Sequence, residues 1–447
     1  MLGGAAVLLG KYADTAVSFS PGGEQVAYTL GIGGRNILEV RIANADGTGD
    51  RLLASIPDGA DDFQQEPAWS PDGKAIAVPV MLLGEKVRWA VEIVSVANGS
   101  VQELHSYSHE VGRAVWLPDG DGLLITLRDQ AGRGQLWEIF YPQGKAVRVT
   151  NDLEDYALDL DVTRDGEKLA LIATTLDSNI WTIPDAHIPK DRQITAGAEP
   201  LTQIVPMPQG KLLARSENGQ MWQMRPDGSD RTPFTTARNV DSPALCGDAV
   251  VFNSLHDDTI DLIRVDADGL NPTKLFGGDI GPPSCSKDGQ FIFFARKFKP
   301  HTILRLPSGG GDPVVIAKSP GFEIRGRVAN SPDGQFLAYV FDESAFEGST
   351  KVGVIPIGGG EPVRTYKVAI DALDLRWSAD GRSLQYLLLR NGATNIWDQP
   401  ITGGEPNQLT QFVSGIIFDF DWSADGKQLL LARGNASSDV VLLTNLR

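Results

Sequence analysis

Residues 420–426 read FDWSADG and residues 375–381 read LRWSADG, and related stretches are AWSPDGK at 68–74 and NSPDGQF at 330–336. Each passes through a serine and then a proline or alanine into Asp-Gly. Such a recurring stretch is either a ligand loop that is used many times or a structural turn that every repeating unit needs. The residues around it decide between the two.

The turn recurs ten times, at intervals of about 37 to 50 residues, which is typical of a repeat architecture. The ten copies are Pro21-Gly22-Gly23, Pro71-Asp72-Gly73, Pro118-Asp119-Gly120, Arg164-Asp165-Gly166, Pro208-Gln209-Gly210, Cys246-Gly247-Asp248, Lys287-Asp288-Gly289, Pro332-Asp333-Gly334, Ala379-Asp380-Gly381 and Ala424-Asp425-Gly426. This period predicts a chain built from one repeating structural unit.

The sequence within each repeat has the pattern of four short β-strands. A strand such as EPAWS (66–70) enters the turn, and an alternating apolar strand such as KAIAVPV (74–80) leaves it. A third strand such as GQLWEIF (134–140) and, after a second turn, a fourth such as AVRVTND (146–152) follow. No stretch keeps apolar residues at helical spacing over several turns. The pattern predicts an all-β fold, a β-propeller of about ten four-stranded blades.

The chemistry of the turn favours the structural interpretation. Proline fixes φ at about −65° at the first corner, aspartate hydrogen-bonds back to the backbone, and glycine accepts the left-handed conformation. Alanine stands in for proline at Ala379 and Ala424. We therefore predict structural turns, not a ligand loop, at Pro71, Asp72, Gly73, Pro118, Asp119, Gly120, Pro332, Asp333, Gly334, Asp380, Gly381, Asp425 and Gly426.

Three other Asp-Gly stretches resemble the start of a calcium loop: NADGTGD at 44–50, RPDGSD at 225–230 and DADGLN at 266–271. Each lies between the third and fourth strand of its repeat. None has the closing glutamate that a calcium loop carries at its twelfth position. We interpret all three as hairpin turns.

Tryptophans return to fixed places in the repeat. One site, on the strand before the turn, holds Trp69, Trp116, Trp377 and Trp422, and a second, on the third strand, holds Trp137, Trp181, Trp222 and Trp397. A large aromatic residue at a fixed repeat position is expected to pack between adjacent blades. A stacking platform for a carbohydrate or a base is the alternative.

The charge balance limits the classes of partner. With 57 acidic and 40 basic residues the formal net charge is −17 at pH 7, and no long Lys/Arg cluster interrupts it. Such a surface repels phosphate backbones and anionic lipids. We therefore expect no nucleic-acid binding and no direct membrane binding by this chain, and we expect a protein or peptide partner, which the sequence does not identify.

Cys246 and Cys285 are the only cysteines, so no disulfide framework holds the fold. They fall in similar places of neighbouring repeats but are offset by one residue, which turns them to opposite faces of their strands. We expect two separate thiols rather than a bridge, although pairing stays open. The opening stretch MLGGAAVLLG is too short to span a bilayer and lacks signal-peptide flanks.

The turn pattern and the third-strand motif NIW, at 179–181 and 395–397, resemble the WD-like repeats of TolB-type propellers. Residues 149–183 and 417–447 are similar to the C-terminal sensor region of bacterial, especially acidobacterial, eukaryotic-type serine/threonine protein kinases. Similar repeats follow winged-helix domains in some bacterial regulators. The resemblance implies a position outside the cytoplasmic membrane and about two further blades upstream, so we expect the chain to begin inside a longer protein.

Twelve blades in that family would divide into two rings of six. We therefore predict an N-terminal partial propeller of about four blades at 1–200 and a six-bladed TolB-like ring at 201–447. The last repeat stops after the strand DVVLLTNL (439–446), so DRQITAG (191–197) would supply its fourth strand. The alternative is one irregular or larger ring that uses all ten blades.

The sequence offers no convincing catalytic, cofactor-binding or metal-binding residue. Its five histidines are His105, His109, His187, His256 and His301. We interpret His105 and His109 as solvated loop residues, because a strand would separate them by about 13 Å, and His256 as part of a polar turn. Kinase motifs, a Walker loop, a Gly-x-Ser-x-Gly elbow and cysteine pairs at zinc spacing are absent from the sequence.

Three functions remain. The first is a non-catalytic sensor or interaction module that binds a protein, peptide or small ligand, and it is the one we favour. The second is a lactonase-like or glycosidase-like propeller enzyme, which predicts convergent carboxylates or a metal at the ring axis. The third is the gating propeller of a prolyl-oligopeptidase-type peptidase, which needs a hydrolase domain that this sequence lacks.

Overall fold

A computed structural model describes residues 17–32, 37–57, 59, 66–83, 87–107, 109–128, 133–152, 154–184, 191–197, 199–256, 259–278, 280–296, 301–321, 324–343, 350–369 and 373–444. These residues form eight antiparallel four-stranded sheets, one five-stranded sheet and one 3₁₀ turn, Pro208–Gly210. The predicted all-β, multi-blade propeller is confirmed. Within the described ranges, no helix has the length and apolarity needed to cross a membrane.

The chain divides into two compact units. Unit 1 contains Met1–Thr175 and Ser437–Arg447, and unit 2 contains Leu176–Ala436. Each is described by itself below, with its sheets numbered as blades 1 to 4 in unit 1 and blades 5 to 10 in unit 2. The division at residue 200 that the sequence suggested stays a prediction.

Unit 1 contains four blades. Blade 1 has β1 (Ser18–Phe19), β2 (Gln25–Ile32), β3 (Ile37–Asn44) and β4 (Arg51–Pro57); blade 2 has β5 (Ala68–Trp69), β6 (Ala75–Leu83), β7 (Val87–Ser95) and β8 (Val101–Tyr107); blade 3 has β9 (Val111–Trp116), β10 (Gly122–Arg128), β11 (Gly134–Phe140) and β12 (Ala146–Arg148); blade 4 has β13 (Asp155–Val162) with one half each of β14 (Lys168–Ile183) and β37 (Leu429–Thr444).

Unit 2 contains six blades. Blade 5 has β16 (Leu201–Pro206), β17 (Leu212–Ser216), β18 (Met221–Met224) and β19 (Thr232–Pro233); blade 6 has β20 (Val240–Cys246), β21 (Ala249–His256), β22 (Thr259–Asp266) and β23 (Thr273–Gly277); blade 7 has β24 (Ser284–Cys285), β25 (Phe291–Ala295), β26 (Thr302–Pro307) and β27 (Val314–Lys318); blade 8 has β28 (Ile324–Asn330), β29 (Phe336–Asp342), β30 (Thr350–Pro356) and β31 (Arg364–Val368); blade 9 has β32 (Leu373–Trp377), β33 (Ser383–Arg390), β34 (Ala393–Pro400) and β35 (Asn407–Gln408); blade 10 has β36 (Ile416–Trp422), the other halves of β37 and β14, and β15 (Arg192–Gln193).

The six blades of unit 2 close into a ring. Their innermost strands, β16, β20, β24, β28, β32 and β36, follow one another around an axis, and β16 of the first blade packs beside β36 of the last. Blade 10 takes its third and fourth strands, 176–183 and β15, from the start of the unit.

Two strands are longer than the short strands of the repeat pattern. β14 and β37 each run for 16 residues without the hairpin that joins the second and third strands in the other blades. Gly434, which looks like a turn residue, lies inside β37. A Cβ atom at Gly434 would come within 1.6 Å of the Asp177 carbonyl oxygen, so the close approach of a neighbouring strand explains this glycine.

The apolar core lies between blades, as the tryptophan placement predicted. Trp69 packs in a cluster with Val40 and Ile56 of the preceding blade. The indole N–H of Trp116 donates to the Ala68 carbonyl at 2.9 Å, again across a blade boundary. The indole N–H of Trp377 likewise donates to the Ala329 carbonyl at 3.1 Å, whereas that of Trp69 is buried without a hydrogen-bond partner among the described residues.

The expectation of two separate thiols is wrong, because Cys246 and Cys285 form a disulfide with a Cα–Cα distance of 5.2 Å. The two residues do lie one position apart in the repeat, at the ends of β20 and β24. In a propeller, however, the front face of one blade packs on the back face of the next, so residues on opposite faces of their own sheets meet. The same apolar cluster holds Phe294 and Val251 from these two blades.

Candidate functional site

The predicted turn residues all lie at the hairpin between the first and second strands of their blades. In the turn at 70–75, Ser70 donates through Oγ to Asp72 Oδ1 at 2.7 Å, and the same Oγ accepts the Ala75 N–H at 2.9 Å. Asp72 Oδ1 also accepts the Lys74 N–H at 3.0 Å, while Gly73 has a φ of 74°. The aspartate carboxylate is thus engaged by donors of its own turn.

The same serine-to-aspartate arrangement recurs through the chain. The pairs are Thr163–Asp165, Ser286–Asp288, Ser331–Asp333, Ser378–Asp380 and Ser423–Asp425. The hydrogen bond from Ser378 lowers the pKa of the Asp380 carboxyl, because it favours the charged form. The serine is a structural member of the turn whose role the sequence pattern did not reveal.

The calcium-like stretches are turns between third and fourth strands, at the positions predicted. Asp46 Oδ1 accepts hydrogen bonds from the N–H and hydroxyl of Thr48, and Asp227 does the same for Ser229. Asp268 accepts the Leu270 N–H at 3.0 Å. Each carboxylate stabilises its own hairpin.

A different set of polar residues lies in the innermost strands, at β-bulges. Register shifts occur in β9, β13, β16, β20, β28, β32 and β36, where the first strand carries one extra residue opposite the second, or two in β13 and β28. Three residues before the tryptophan site of the repeat lies a polar side chain, which is at or next to a register shift in every case except Glu66, which precedes β5. We call these residues the polar belts: Glu66, Arg113 and Asp159 in unit 1, and Gln203, Ser242, Arg327, Asp374 and Asp419 in unit 2.

The polar belt of unit 1 is a chain of ion pairs between successive blades. Arg113 Nη2 lies 3.0 Å from Glu66 Oε2, and Arg113 Nη1 lies 3.4 Å from Asp159 Oδ1. One guanidinium therefore serves two carboxylates, and all three side chains keep partial contact with solvent. The arrangement links blades 2, 3 and 4.

The polar belt of unit 2 surrounds a second arginine, Arg376, which lies two residues after Asp374. Arg376 Nη2 is 2.6 Å from Asp419 Oδ1, Nη1 is 3.3 Å from Asp421 Oδ2, and Nε is 3.5 Å from Asp374 Oδ2. Only 13% of the Arg376 side chain and 6% of that of Asp419 is exposed. Three carboxylates thus converge on one buried guanidinium near the ring axis.

Asp419 also completes the ring. Its Oδ2 accepts the Ile204 N–H of blade 5 at 2.8 Å, while its Oδ1 accepts Arg376 of blade 9. Burial raises the pKa of Asp419, against the attraction of Arg376, and the adjacent Asp374 carboxyl raises it further. The carboxyls of Asp419 and Asp374 titrate as a pair, and this pair holds a proton more tightly than a free carboxylate does.

A cavity of about 690 Å³ opens above this network, on the side of the ring that carries the first hairpins. The residue at the tryptophan site of every blade lines it, which gives Pro206, Leu245, Cys285, Asn330, Trp377 and Trp422. Arg327, Arg376 and Asp421 also line it. We call it the mouth cavity of unit 2; it combines an apolar rim with charged groups.

Unit 1 has a smaller counterpart. A cavity of about 490 Å³ is lined by the equivalent positions of its four blades, Phe19, Trp69, Trp116 and Val162, and by Arg113. We call it the mouth cavity of unit 1. Its arginine is the one already paired with Glu66 and Asp159.

The histidines do not form a site in the part of the chain that the structure describes. His105 lies in β8 and packs on Tyr107, with ring centroids 4.6 Å apart, so it is a strand residue and not the loop residue expected. His187 and the stretch 257–258 lie outside the described residues, as does the His256 side chain. Within those residues, no cluster of three or more His, Cys, Asp or Glu has the arrangement of metal ligands.

Sequence reasoning missed Arg327, Arg376, Asp374 and Asp419, although a signal was present. Every tryptophan of the first site is preceded, three residues earlier, by a charged residue: Glu66, Arg113, Asp374 and Asp419. A charge at a fixed place in an otherwise apolar strand indicates a shared structural position. Without the bulges, the pattern alone does not place these side chains at the ring axis.

No protein-family model matches the chain, and no curated protein matches it. Among solved structures it is similar to the tricorn protease, at 14% identity over 88% of this chain and 46% of that chain, with a TM-score of 0.34. It is also similar to TolB from Acinetobacter baumannii, at 15% identity over 78% of this chain and 66% of that one, with a TM-score of 0.28. A chain of a nidogen–laminin complex matches at 8% identity over 59% and 98%, with a TM-score of 0.41.

The chain thus spans less than two thirds of the tricorn protease and TolB chains that it matches. At these identities and TM-scores the matches carry no information about function. The blades themselves establish the propeller fold, and the geometry of the two mouth cavities is what a functional proposal has to use.

Proposed function

We propose that this chain is a non-catalytic sensor or interaction module, and that the mouth cavity of unit 2 binds a peptide segment of a partner protein. One observation carries the proposal: in all six blades the residue at the tryptophan site lines a single cavity with an apolar rim and charged groups. Its volume lies within the range of about 300–1,000 Å³ that is usual for ligand sites.

The contacts of the acidic residues support a binding role rather than a catalytic one. Both oxygens of Asp419 are used, one by Arg376 and one by the Ile204 N–H. Asp421 pairs with Arg376 and accepts the Trp422 N–H at 2.8 Å. Carboxylates that are held in this way stabilise the ring, and a general base needs an oxygen that can reach a substrate.

One observation favours the enzyme alternative. Asp374, Asp419 and Asp421 do converge near the axis, which is what a glycosidase-like or lactonase-like propeller requires. We rank it second because all three lie around the same arginine. Release of product from a panel of aryl glycosides and lactones, lost in Asp421→Asn, would establish this alternative and overturn the non-catalytic proposal.

The binding proposal is tested by filling the cavity. Asn330 occupies the register position that Trp377 and Trp422 occupy in the next two blades, so Asn330→Trp places a side chain that the fold already accommodates there. Val162→Trp is the matched control, because it fills the equivalent position of unit 1. Peptides selected from a random display library on the whole chain should bind wild type and Val162→Trp equally.

The same peptides should bind Asn330→Trp at least about tenfold more weakly, because the substitution occupies space that the ligand needs. Equal binding to all three proteins would contradict the proposal, and loss in Val162→Trp alone would move the site to unit 1. Circular dichroism of each variant checks that the blades remain folded.

The signalling context is the part of the proposal that rests on sequence resemblance alone. We propose that the chain belongs to the extracytoplasmic part of a bacterial signalling protein linked to a serine/threonine kinase or a winged-helix domain. The purified chain should then show no autophosphorylation with labelled ATP. Sequencing the adjoining coding region tests the linkage, and an upstream domain of another kind would refute it.

A further inference from the structure

Arg327 is the charged side chain of the mouth cavity that the protein itself leaves without a carboxylate partner. Its Nη1 donates to the Pro283 carbonyl at 3.1 Å. Its Nε is buried and has no hydrogen-bond partner. No carboxylate among the described residues forms an ion pair with Arg327; Asp374, Asp419 and Asp421 attract it only from a distance.

The neighbouring charges do not compensate for this. Asp374, Asp419 and Asp421 are gathered around Arg376. Burial lowers the pKa of Arg327, and the adjacent Arg376 guanidinium lowers it further. Arg327 is half-buried, with a buried Nε and one carbonyl contact, and this is costly to the free protein. An anion from outside would compensate for that cost.

The surroundings select the kind of anion. A planar guanidinium binds a carboxylate through two parallel hydrogen bonds, and it also binds phosphate. Asp421 lines the same cavity, and its charge opposes a dianion more strongly than a monoanion. The rim next to Arg327 contains Trp377 and Leu375, which favour a ligand whose anionic group adjoins apolar atoms.

We propose that Arg327 binds a carboxylate of the peptide that occupies the mouth cavity of unit 2. This inference rests on the proposed function and adds to it the chemical class that the site recognises. The carboxylate is that of the peptide's C-terminus or of an aspartate or glutamate side chain, and both supply the same planar group. Arg376 positions the ring, and Arg327 contacts the ligand.

The test uses three pools of acetylated random hexapeptides on the whole chain, with bound peptides measured by mass spectrometry. The first pool has free C-terminal carboxylates and no Asp or Glu, the second is the same pool amidated, and the third is amidated but contains Asp and Glu. We expect the first or the third pool to bind about tenfold or more above the second, because a charge-assisted bond is lost in the second. Binding of the first pool would identify the C-terminal carboxylate as the source, and binding of the third pool would identify an aspartate or glutamate side chain.

Arg327→Gln should abolish that preference, and Arg327→Lys should keep part of it, because lysine supplies the charge without the fork. Arg325→Gln is the matched control: Arg325 lies two residues away on β28 but pairs with Asp342 at 2.6 Å. That control should leave the preference unchanged. Because Arg327 has no carboxylate partner, Arg327→Gln should not lower the melting temperature, which separates ligand binding from a structural role.

The outcomes distinguish this inference from the proposed function. In one outcome, all three pools bind equally, Arg327→Gln does not change this binding, and Asn330→Trp abolishes it. That outcome overturns the carboxylate assignment and keeps the binding site. Binding that Asn330→Trp does not affect overturns both. Displacement of the bound peptides by millimolar inorganic phosphate would overturn the selectivity for carboxylate.

Discussion

The polar belts of the two units occupy the same position of the repeat and use their charges differently. In unit 1, Arg113 lies between Glu66 and Asp159, and its side chain is 32% exposed. In unit 2, Arg376 is enclosed by three aspartates, and Arg327, a belt residue, has no carboxylate partner within the described part of the chain. The difference separates two uses of a buried charge: a fully paired arginine holds blades together, whereas an unpaired one is available to a ligand.

The largest effect is expected from removing the enclosed arginine. Arg376→Met leaves three aspartates around an uncharged side chain, and breaking a buried ion pair in this way costs about 3–5 kcal/mol. Arg113→Met in unit 1 breaks partly exposed pairs, which are worth about 1 kcal/mol or less. Hydrogen exchange of β16 and β36 should therefore rise strongly in the first variant, and that of β9 and β13 only slightly in the second.

Arg325→Met serves as the control within unit 2, because it removes a partly exposed arginine outside the belt. If Arg376→Met and Arg113→Met cost the same, the distinction between an enclosed and a partly exposed belt fails.

The second prediction concerns the disulfide, which exists in unit 2 alone because the chain has two cysteines. The bridge joins residues 39 apart, and closing a loop of that length is worth about 4 kcal/mol in the chain-entropy model. A phosphine reductant should lower the urea midpoint of unit 2 and leave that of unit 1 unchanged. Hydrogen exchange in β20 and β24 measures the effect on unit 2. The double variant Cys246→Ala with Cys285→Ala should not respond to the reductant.

The repeated turn was enough to predict the blades, because its geometry is local. Serine, aspartate and glycine at 70–73 fix a hairpin through contacts within six residues, and the same letters recur wherever the hairpin does. The continuous strands β14 and β37 escaped prediction because the residues that explain them are distant. Gly434 looks like a turn until the approach of Asp177 is known.

The candidate site was harder to predict for the same reason. Arg327 and Arg376 lie in different blades, and Asp419, which pairs with Arg376, also accepts the Ile204 N–H of a third blade. The disulfide also depends on packing between sheets and not on alternation within a strand. The repeat period and the alternation of apolar residues describe the strands of one blade, whereas the candidate site is formed by side chains from several blades of the ring.

The third prediction uses the raised pKa of Asp419. A carboxyl whose pKa is higher in the folded than in the unfolded state adds stability below the ordinary value near 3.8, and that stability is lost as pH rises through the raised pKa. Unit 2 should therefore lose stability between weakly acidic and alkaline pH, by up to about 1.4 kcal/mol per pH unit for one proton.

Asp374→Asn tests this directly, because it removes the carboxyl that opposes ionisation of Asp419. Asparagine tolerates the positive φ of 47° at this position, so the backbone is retained. The variant should flatten the pH dependence of the urea midpoint of unit 2. A slope identical to that of wild type would mean that the pair does not hold the proton.

The smallest effect is expected where the two units are alike. Ser70 in unit 1 and Ser378 in unit 2 are both buried, and each donates to the aspartate two residues later at 2.7 Å. Each also accepts the N–H five residues later, at 2.9 Å for Ser70 and 3.0 Å for Ser378. Ser70→Ala and Ser378→Ala should each cost about 1 kcal/mol, because the hydrogen bonds lost are equivalent. Urea denaturation, monitored by hydrogen exchange in each unit, measures both costs. A cost several times larger in one unit would show that the turns are not equivalent. The comparison of the two polar belts assumes that equivalence.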